Sequence, residues 1–310
     1  MARYLLFRLL GFLFVVLVVS FITFFLMYNT PGGPFDETQM PLSPAAKANI
    51  RAKYGLDQPF YVQWFNYMVN AVQGDFGYSF QFMGRKVSDL FASYWANSIL
   101  LGVLSVAWSF PLGIVLGIVA ALRRNSVTDY VIRTLSLVTS TLPVFALVFF
   151  SLAIFAVWLK WLPYGGWIDR GGDLRTLILP VFIFGLGTVG ALARYVRSGM
   201  LDVLGQDYIR TARAKGLPRR LVIVKHAMRN MMIPIVTLFF PVLTNAITGS
   251  VFVEIGFVIP GIARFFLDSV NFRDYPVIMA TVLIAATILS VTYLLTDIAY
   301  TILDPRIRIS

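Results

Sequence analysis

Residues 90–122 read LFASYWANSILLGVLSVAWSFPLGIVLGIVAAL, 33 residues without an Asp, Glu, Lys or Arg. A hydrocarbon core needs about 20 consecutive apolar residues to be crossed by a helix, so this stretch is long enough to span one. Five more charge-free runs flank it, at 9–35, 134–159, 176–193, 230–253 and 275–296. The whole chain of 310 residues is 58% hydrophobic and 13% charged, with a mean hydropathy of +0.77. Soluble domains carry roughly 25% charge, so this chain lacks the polar surface to cover a water-soluble globule. Six such runs also exceed what a soluble core of this length holds. The sequence therefore predicts an all-α integral membrane protein with six transmembrane helices.

Arg3 and Arg8 precede LLGFLFVVLVVSFITFFLM at 9–27. The apolar run is longer than the h-region of a signal peptide, and no A-x-A cleavage pattern follows. It reads as an uncleaved signal-anchor that becomes the first span. Six spans put both termini on one side. The N-terminus, the 123–133 loop, the 194–229 loop and the C-terminus then share a face with 16 Lys and Arg against 5 Asp and Glu. The segments 36–89, 160–175 and 254–274 share the other, with 10 of each sign. Positive residues stay cytoplasmic, so both termini are expected in the cytoplasm. The net charge of +11 and the pI near 10.0 thus report topology and give no reason to expect nucleic-acid binding.

The chain has no cysteine and one histidine, His226. That leaves no disulfide framework, no thiolate metal site and no histidine-based triad. No G-x4-G-K-[ST] phosphate loop occurs within it. Ionisable groups are scarce at membrane depth: Glu254 follows the fifth run and Asp297 the sixth. Ion-coupled carriers keep such groups deep, where coupling needs them, so this pattern speaks against a secondary carrier. Pro111, Pro143, Pro180, Pro234 and Pro241 interrupt the runs, and Gly113 and Gly117 offer a small-residue face for close helix packing. In the long segment 36–89, Phe60, Trp64, Met68 and Ala71 recur at helical spacing within 58–74. That predicts an external helix, either a cap on the bundle or a docking surface for an external partner.

One block is unlike the rest. YIRTARAKGLPRRLVIVKHAMRN at 208–230 holds seven Lys or Arg and no acid. QDYIRTARAKG at 206–216 reads as a short helix, with Gly216 suited to the left-handed C′ position. Pro218 is suited to the first position of a second helix, which leads through 219–230 into the fifth span. An anchor, an anionic-lipid contact or a linker would need only the charge. The arrangement of short helix, Gly, Pro and second helix suits a lever gripped from outside the membrane.

This block resembles the EAA loop in permease subunits of binding-protein-dependent ABC importers. The E-A-A positions hold Arg210, Thr211 and Ala212, and the common I-x-L-P tail is missing, but DYIRTARAKGL resembles the peptide-transporting form. The resemblance extends through NTPGGPFD (29–36), GDFGYSF (74–80), WLPYGGW (161–167), VFVEIGFVIPGIARFF (251–266), RDYP (273–276) and DIAY…LDPRIRI (297–309). It is closest to the B-type membrane subunit of oligopeptide permeases. It implies a type I ABC importer permease fold in a bacterial or archaeal inner membrane. It further implies that this is not an enzyme, and that the chain itself carries no cofactor. ATP and magnesium would be bound by two partner ATPase subunits. A second homologous permease, an external solute-binding protein and an oligopeptide substrate complete the expected partners, with membrane lipid around them. Tyr208, Arg210, Ala212, Arg213, Lys215, Gly216 and Leu217 would form the ATPase contact.

The expected organisation is a first span at 1–35, an external helical segment at 36–89, a five-helix core at 90–305 with its coupling loop at 194–230, and a tail at 306–310. After the fifth span, irregular backbone must pack on protein or line a cavity. Glu254, Pro260 and Gly261 are therefore expected either in an external gate or in a loop folded onto the bundle top. Ser140, Thr141, Phe145, Asn245 and Thr248 are the polar or aromatic candidates for the pathway, each also suited to interhelical packing. Rival readings are the same machine carrying dipeptides, nickel chelates, glutathione or sugar oligomers, or an ion-coupled carrier acting alone.

Overall fold

A computed structural model describes residues 2–31, 55–82, 84–168 and 173–303. The predicted external stretch at 36–54, most of NTPGGPFD, and the tail at 306–310 with most of LDPRIRI lie outside the described residues. Among the described residues the fold is helical, with one isolated β-bridge between Tyr78 and Lys86. Five helices are long and apolar enough to cross a membrane, or six if one bent pair counts as a single span.

That pair departs from the sequence reading. The run 134–159 counts in the sequence as one span, interrupted by Pro143. The structure instead has α4 (Val127–Thr141) and α5 (Val144–Ser151), the latter prolonged by a π-helical stretch at Leu152–Trp158. They meet at an angle of 102°. Leu142 is extended at φ −65°, ψ 131°, as steric conflict with the following proline demands, and Pro143 caps the second helix. The other long helices are α1 (Ala2–Asn29), α3 (Val87–Leu122), α6 (Ile178–Leu204), α9 (Met228–Ile247) and α12 (Tyr275–Leu303). Pro180 falls in the first turn of α6, where a missing N–H costs nothing. Pro111, Pro234 and Pro241 lie inside helices.

The chain forms two units, one built on 1–96 with 262–291 and the other on 97–261 with 292–309. In the first, α2 (Phe60–Val72) packs on α1. Phe60 meets Phe21, Phe25 and Tyr28, and the Trp64 indole donates to Ser20 Oγ at 3.2 Å. The predicted face Phe60, Trp64, Met68, Ala71 is the more sheltered side of α2. Here two distant motifs become one structure. The Asp274 carboxylate of RDYP accepts from the Ser79 hydroxyl and the Phe80 N–H (3.1 Å) in GDFGYSF and from the N–H of Gln81 just after it (3.4 Å). Burial nevertheless holds Asp274 above the usual carboxylate range, against the pull of those hydrogen bonds.

In the second unit, α3 lies against α6 through its small residues. A β-carbon on Gly117 would stand 2.7 Å from the Ala193 carbonyl oxygen, and one on Gly113 would stand 3.0 Å from Leu192 Cβ. The predicted small-residue face therefore has its partner within this chain. Helices α4 and α6 pack together along an extensive contact. It is fastened where Arg197 grips the buried Asp129 with two hydrogen bonds of 2.6 and 2.7 Å. Asp129 also accepts from the Asn125 N–H at 2.9 Å, so the buried carboxylate is fully engaged. Removing one partner of such a pair costs about 3–5 kcal/mol, because the other is left buried and uncompensated.

Candidate functional site

The basic block folds as the sequence suggests, with two corrections. Helix α7 (Asp207–Ala214) is short and strongly amphipathic. Ile209 and Ala212 are buried in a cluster with Val196 and Met200 of α6, Val222, Ala227 and Met231. Gly216 takes φ +75°, the Gly216 N–H donates to Arg213 O at 2.9 Å and the Leu217 N–H to Ala212 O at 3.4 Å. This pair of bonds is the Schellman stop, and Leu217 folds back onto the same cluster as its apolar partner. The first correction concerns Pro218. It stands at the N-cap, extended at ψ 142°, not at the first helical position. The second concerns Ala212 and Leu217. Both face the bundle and anchor the helix, Ala212 buried and Leu217 half-buried.

Tyr208, Arg210, Arg213, Lys215 and Gly216 are exposed. Arg210 makes an exposed pair with Asp207 at 3.5 Å, worth little in water. Tyr208 accepts from Asn230 Nδ2 at 2.5 Å, tying the outer face of α7 to the start of α9. Between them the chain climbs through α8 (Arg219–Leu221) and a π-helical stretch at Val222–Ala227, so that Arg219–Ile247 continues as one span. The wide turn places both Val222 and Ala227 in the cluster that receives Ile209. Nothing in the helical periodicity announces it.

The segment after α9 is held at every turn. Helix α10 (Val251–Gly256) ends in a second Schellman stop: the Val258 N–H donates to Ile255 O at 3.2 Å and the Ile259 N–H to Glu254 O at 2.8 Å. The C′ position here is Val258, at φ +58°, a left-handed conformation that disfavours a β-branched side chain. Glu254 is fully buried and accepts from Ser98 Oγ at 2.7 Å. A β-carbon on Gly261 would collide with its carboxylate. The Trp167 indole of WLPYGGW donates to Asn97 Oδ1 at 2.7 Å, and Asn97 Nδ2 donates to Pro260 O at 2.9 Å. Glu254 and Gly261 thus point inward and brace the loop. The side chains they leave on its surface are apolar: Phe252, Ile255 and Val258, each about half exposed. The sequence reading named the braces and missed the face.

The expected pathway residues do not form one cluster. Ser140, Thr141 and Thr248 hydroxyls turn back to carbonyls of their own helices at 2.6, 2.7 and 3.0 Å. Phe145 is exposed and lies 5.8 Å from the ring of Phe252. Asn245 is exposed and opens onto a 110 Å³ cavity with Ser105, Ser109 and Thr188. Among the described residues, Ser109 Oγ is the one buried side-chain polar atom without a hydrogen-bond partner. The space exceeds the roughly 10–15 Å³ that a water needs, so it has room for a polar group.

Residues 113–309 match the family model of the binding-protein-dependent transport system inner membrane component, and residues 1–111 match the model of its N-terminal region. The chain is 38% identical over 308 residues to the oligopeptide transport system permease protein OppB of Haemophilus influenzae, covering 99% of this chain and 100% of that one. It is 38% identical over 309 residues to the dipeptide transport system permease protein DppB of Bacillus subtilis, covering 100% and 99%. It is 36% identical over 296 residues to OppB of Escherichia coli, covering 96% and 95%. Among solved structures, an inward-facing MetNI methionine ABC transporter has a chain that superposes with a TM-score of 0.54 at 16% identity, over 69% of this chain and 96% of that one. That likeness is one of fold.

Proposed function

The chain belongs to the family of binding-protein-dependent transport system inner membrane components, and on that premise we propose that it forms half of the translocation pathway of an ATP-driven oligopeptide importer. A second, related permease supplies the other half. Two ATPases sit on the cytoplasmic face and hold the ATP and magnesium, and an external solute-binding protein delivers the peptide. The observation that carries the coupling is the build of α7. Its exposed side presents Tyr208, Arg210, Arg213, Lys215 and Gly216. Its other side is anchored by Ile209, Ala212 and Leu217 in the cluster shared with α6 and α9. A push on such a helix is passed to both spans, because a packed core transmits displacement and does not absorb it. ATP closes the ATPase dimer, α7 moves, and the pathway opens outward; hydrolysis resets it.

The apolar face of Phe252, Ile255 and Val258 is assigned to the external gate, and Glu254, Pro260 and Gly261 to its frame. The Asn245 cavity supports a pathway on that face of the chain, since a polar side chain exposed to lipid is costly. Oligopeptide cargo is favoured over dipeptides by the sequence motifs alone; the relatives of both kinds stand at 38% identity.

The test is a substitution series at Gly216. A β-carbon there meets nothing within 4 Å, so any cost comes from the backbone at φ +75°. Asn tolerates that region, whereas a β-branched Val is strained in it. In the reconstituted importer, Gly216→Asn should keep peptide transport near wild type. Gly216→Val should lose most transport while ATP is still hydrolysed. Full transport by Gly216→Val, or transport by the purified chain without companion proteins, would sink the reading; the latter result would point to an ion-coupled carrier.

A further inference from the structure

Two of the charge-free runs are bordered by arginines that line one cleft. Arg133 is the last charge before the run 134–159, and Arg194 the first after the run 176–193. One stands on α4 and the other on α6, and both are exposed. With Tyr130, Thr134, Leu137 and Arg197 they enclose a cleft of 330 Å³. Arg197 is engaged by Asp129. Among the described residues neither Arg133 nor Arg194 is in a contact ion pair, although the charge of Arg133 acts on the Asp129 carboxylate one turn away. Arg133 lies over the Tyr130 ring at 5.6 Å, which holds its guanidinium at the cleft. Three guanidiniums thus share one opening with a single acid.

The depth of the cleft names its occupant. The span Leu174–Leu204 has 31 residues, or about 46 Å at helical rise, against a hydrocarbon core of about 30 Å. Its charge-free part ends at Ala193, so Arg194 stands where hydrocarbon gives way to headgroups. Arg133 marks the same level on α4. Immediately beyond it in the apolar run, Leu135, Leu137 and Val138 are exposed, a surface suited to acyl chains. Basic pockets between spans take anionic headgroups, to which their positive charge is attracted. We propose that this cleft binds an anionic phospholipid, its phosphate held between Arg133 and Arg194 with Thr134 as a neutral donor. The proposal requires only that the chain spans a membrane and is independent of cargo and coupling.

The test uses the full complex in nanodiscs of equimolar phosphatidylglycerol and phosphatidylcholine, with native mass spectrometry of the lipids retained on release. The wild type should retain phosphatidylglycerol preferentially. Arg133→Gln with Arg194→Gln should lower that preference by about tenfold or more and leave phosphatidylcholine retention unchanged. Neither arginine holds the fold through an ion pair, and Arg133→Lys with Arg194→Lys, which keeps the charge, should keep the preference. Three results would overturn the proposal: no preference in the wild type, an unchanged preference in the Gln pair, or equal loss in the Gln and Lys pairs. A fourth is thermal stabilisation of the complex by inorganic phosphate equal to that by phosphatidylglycerol, which would make the cleft a free-anion site.

Discussion

Val258 and Gly216 occupy the same place in the same motif, the left-handed residue of a Schellman stop, with opposite chemistry. At Gly216 the residue type announces the conformation, so the end of α7 was readable from the sequence. At Val258 it does not: no sequence rule places a β-branched residue at φ +58°, and the strain appears only in the structure. A left-handed conformation costs a side-chain-bearing residue about 1–2 kcal/mol, and it persists where the surroundings over-determine it. Here they are the Glu254 carbonyl below and Phe257, fully buried, beside it. Glycine would relieve the strain but adds about 0.5–1 kcal/mol of unfolded-state entropy. Val258→Gly is therefore expected to leave the complex as stable or up to about 1 kcal/mol more stable, read as an unchanged or raised thermal unfolding midpoint. A lowered midpoint would mean that the Val258 side chain packs for more than its backbone costs. Glu254 was legible as chemistry and not as position. The sequence left it between an external gate and a loop folded onto the bundle top, and Ser98 and the bare α-carbon of Gly261 give it a buried seat.

At the scale of elements, charge-free length was enough to locate the five long helices α1, α3, α6, α9 and α12 but not the bend between α4 and α5, and the GxxxG spacing was enough to say that α3 packs closely. They were not enough to choose its partner, because small residues permit an approach without specifying what approaches. The structure gives α6, with the Gly117 α-carbon facing the Ala193 carbonyl oxygen and Val196. A methyl group there must push the helices apart, since one of its neighbours is backbone. Gly117→Ala is accordingly expected to destabilise the protein by about 1–3 kcal/mol, seen as faster loss of monodisperse protein on heating in detergent. Gly11→Ala on α1 is the matched control. Nothing lies within 4 Å of the β-carbon it would add, so the two glycines should separate clearly. If both are neutral, the α3–α6 approach is looser than described. The π-helical stretches at 152–158 and 222–227 were invisible for a related reason. One wide turn adds less than a residue of phase to a long apolar run, and composition does not register it.

For the whole molecule, everything turns on the bent pair α4–α5, because whether it crosses decides the side on which half of the loops lie. If it crosses, the two faces carry 16 basic against 5 acidic residues and 10 against 10. If it dips in and returns, the segments regroup: the N-terminus, 123–133, 160–175 and 254–274 share one face with 10 basic and 6 acidic residues. The other face then holds 16 and 9. Both arrangements put 16 Lys and Arg on one face and 10 on the other, and both put the 194–229 segment on the richer face, so the positive-inside rule, which counts basic residues, does not choose between them. The pair spans 127–158, about 48 Å of helix if it were straight, and a bend of 102° cuts its end-to-end reach to about 28 Å, close to the thickness of a hydrocarbon core. Single cysteines at Arg124 and Lys160, in a chain that has none of its own, distinguish the cases. A membrane-impermeant maleimide applied to intact cells should label the cysteine at position 160 and reach the one at 124 only after permeabilisation. The two are expected to behave alike if the pair is re-entrant, with the basic block at 208–230 opposite the 123–133 loop; labelling of neither in intact cells would then put α7 outside, away from any ATPase.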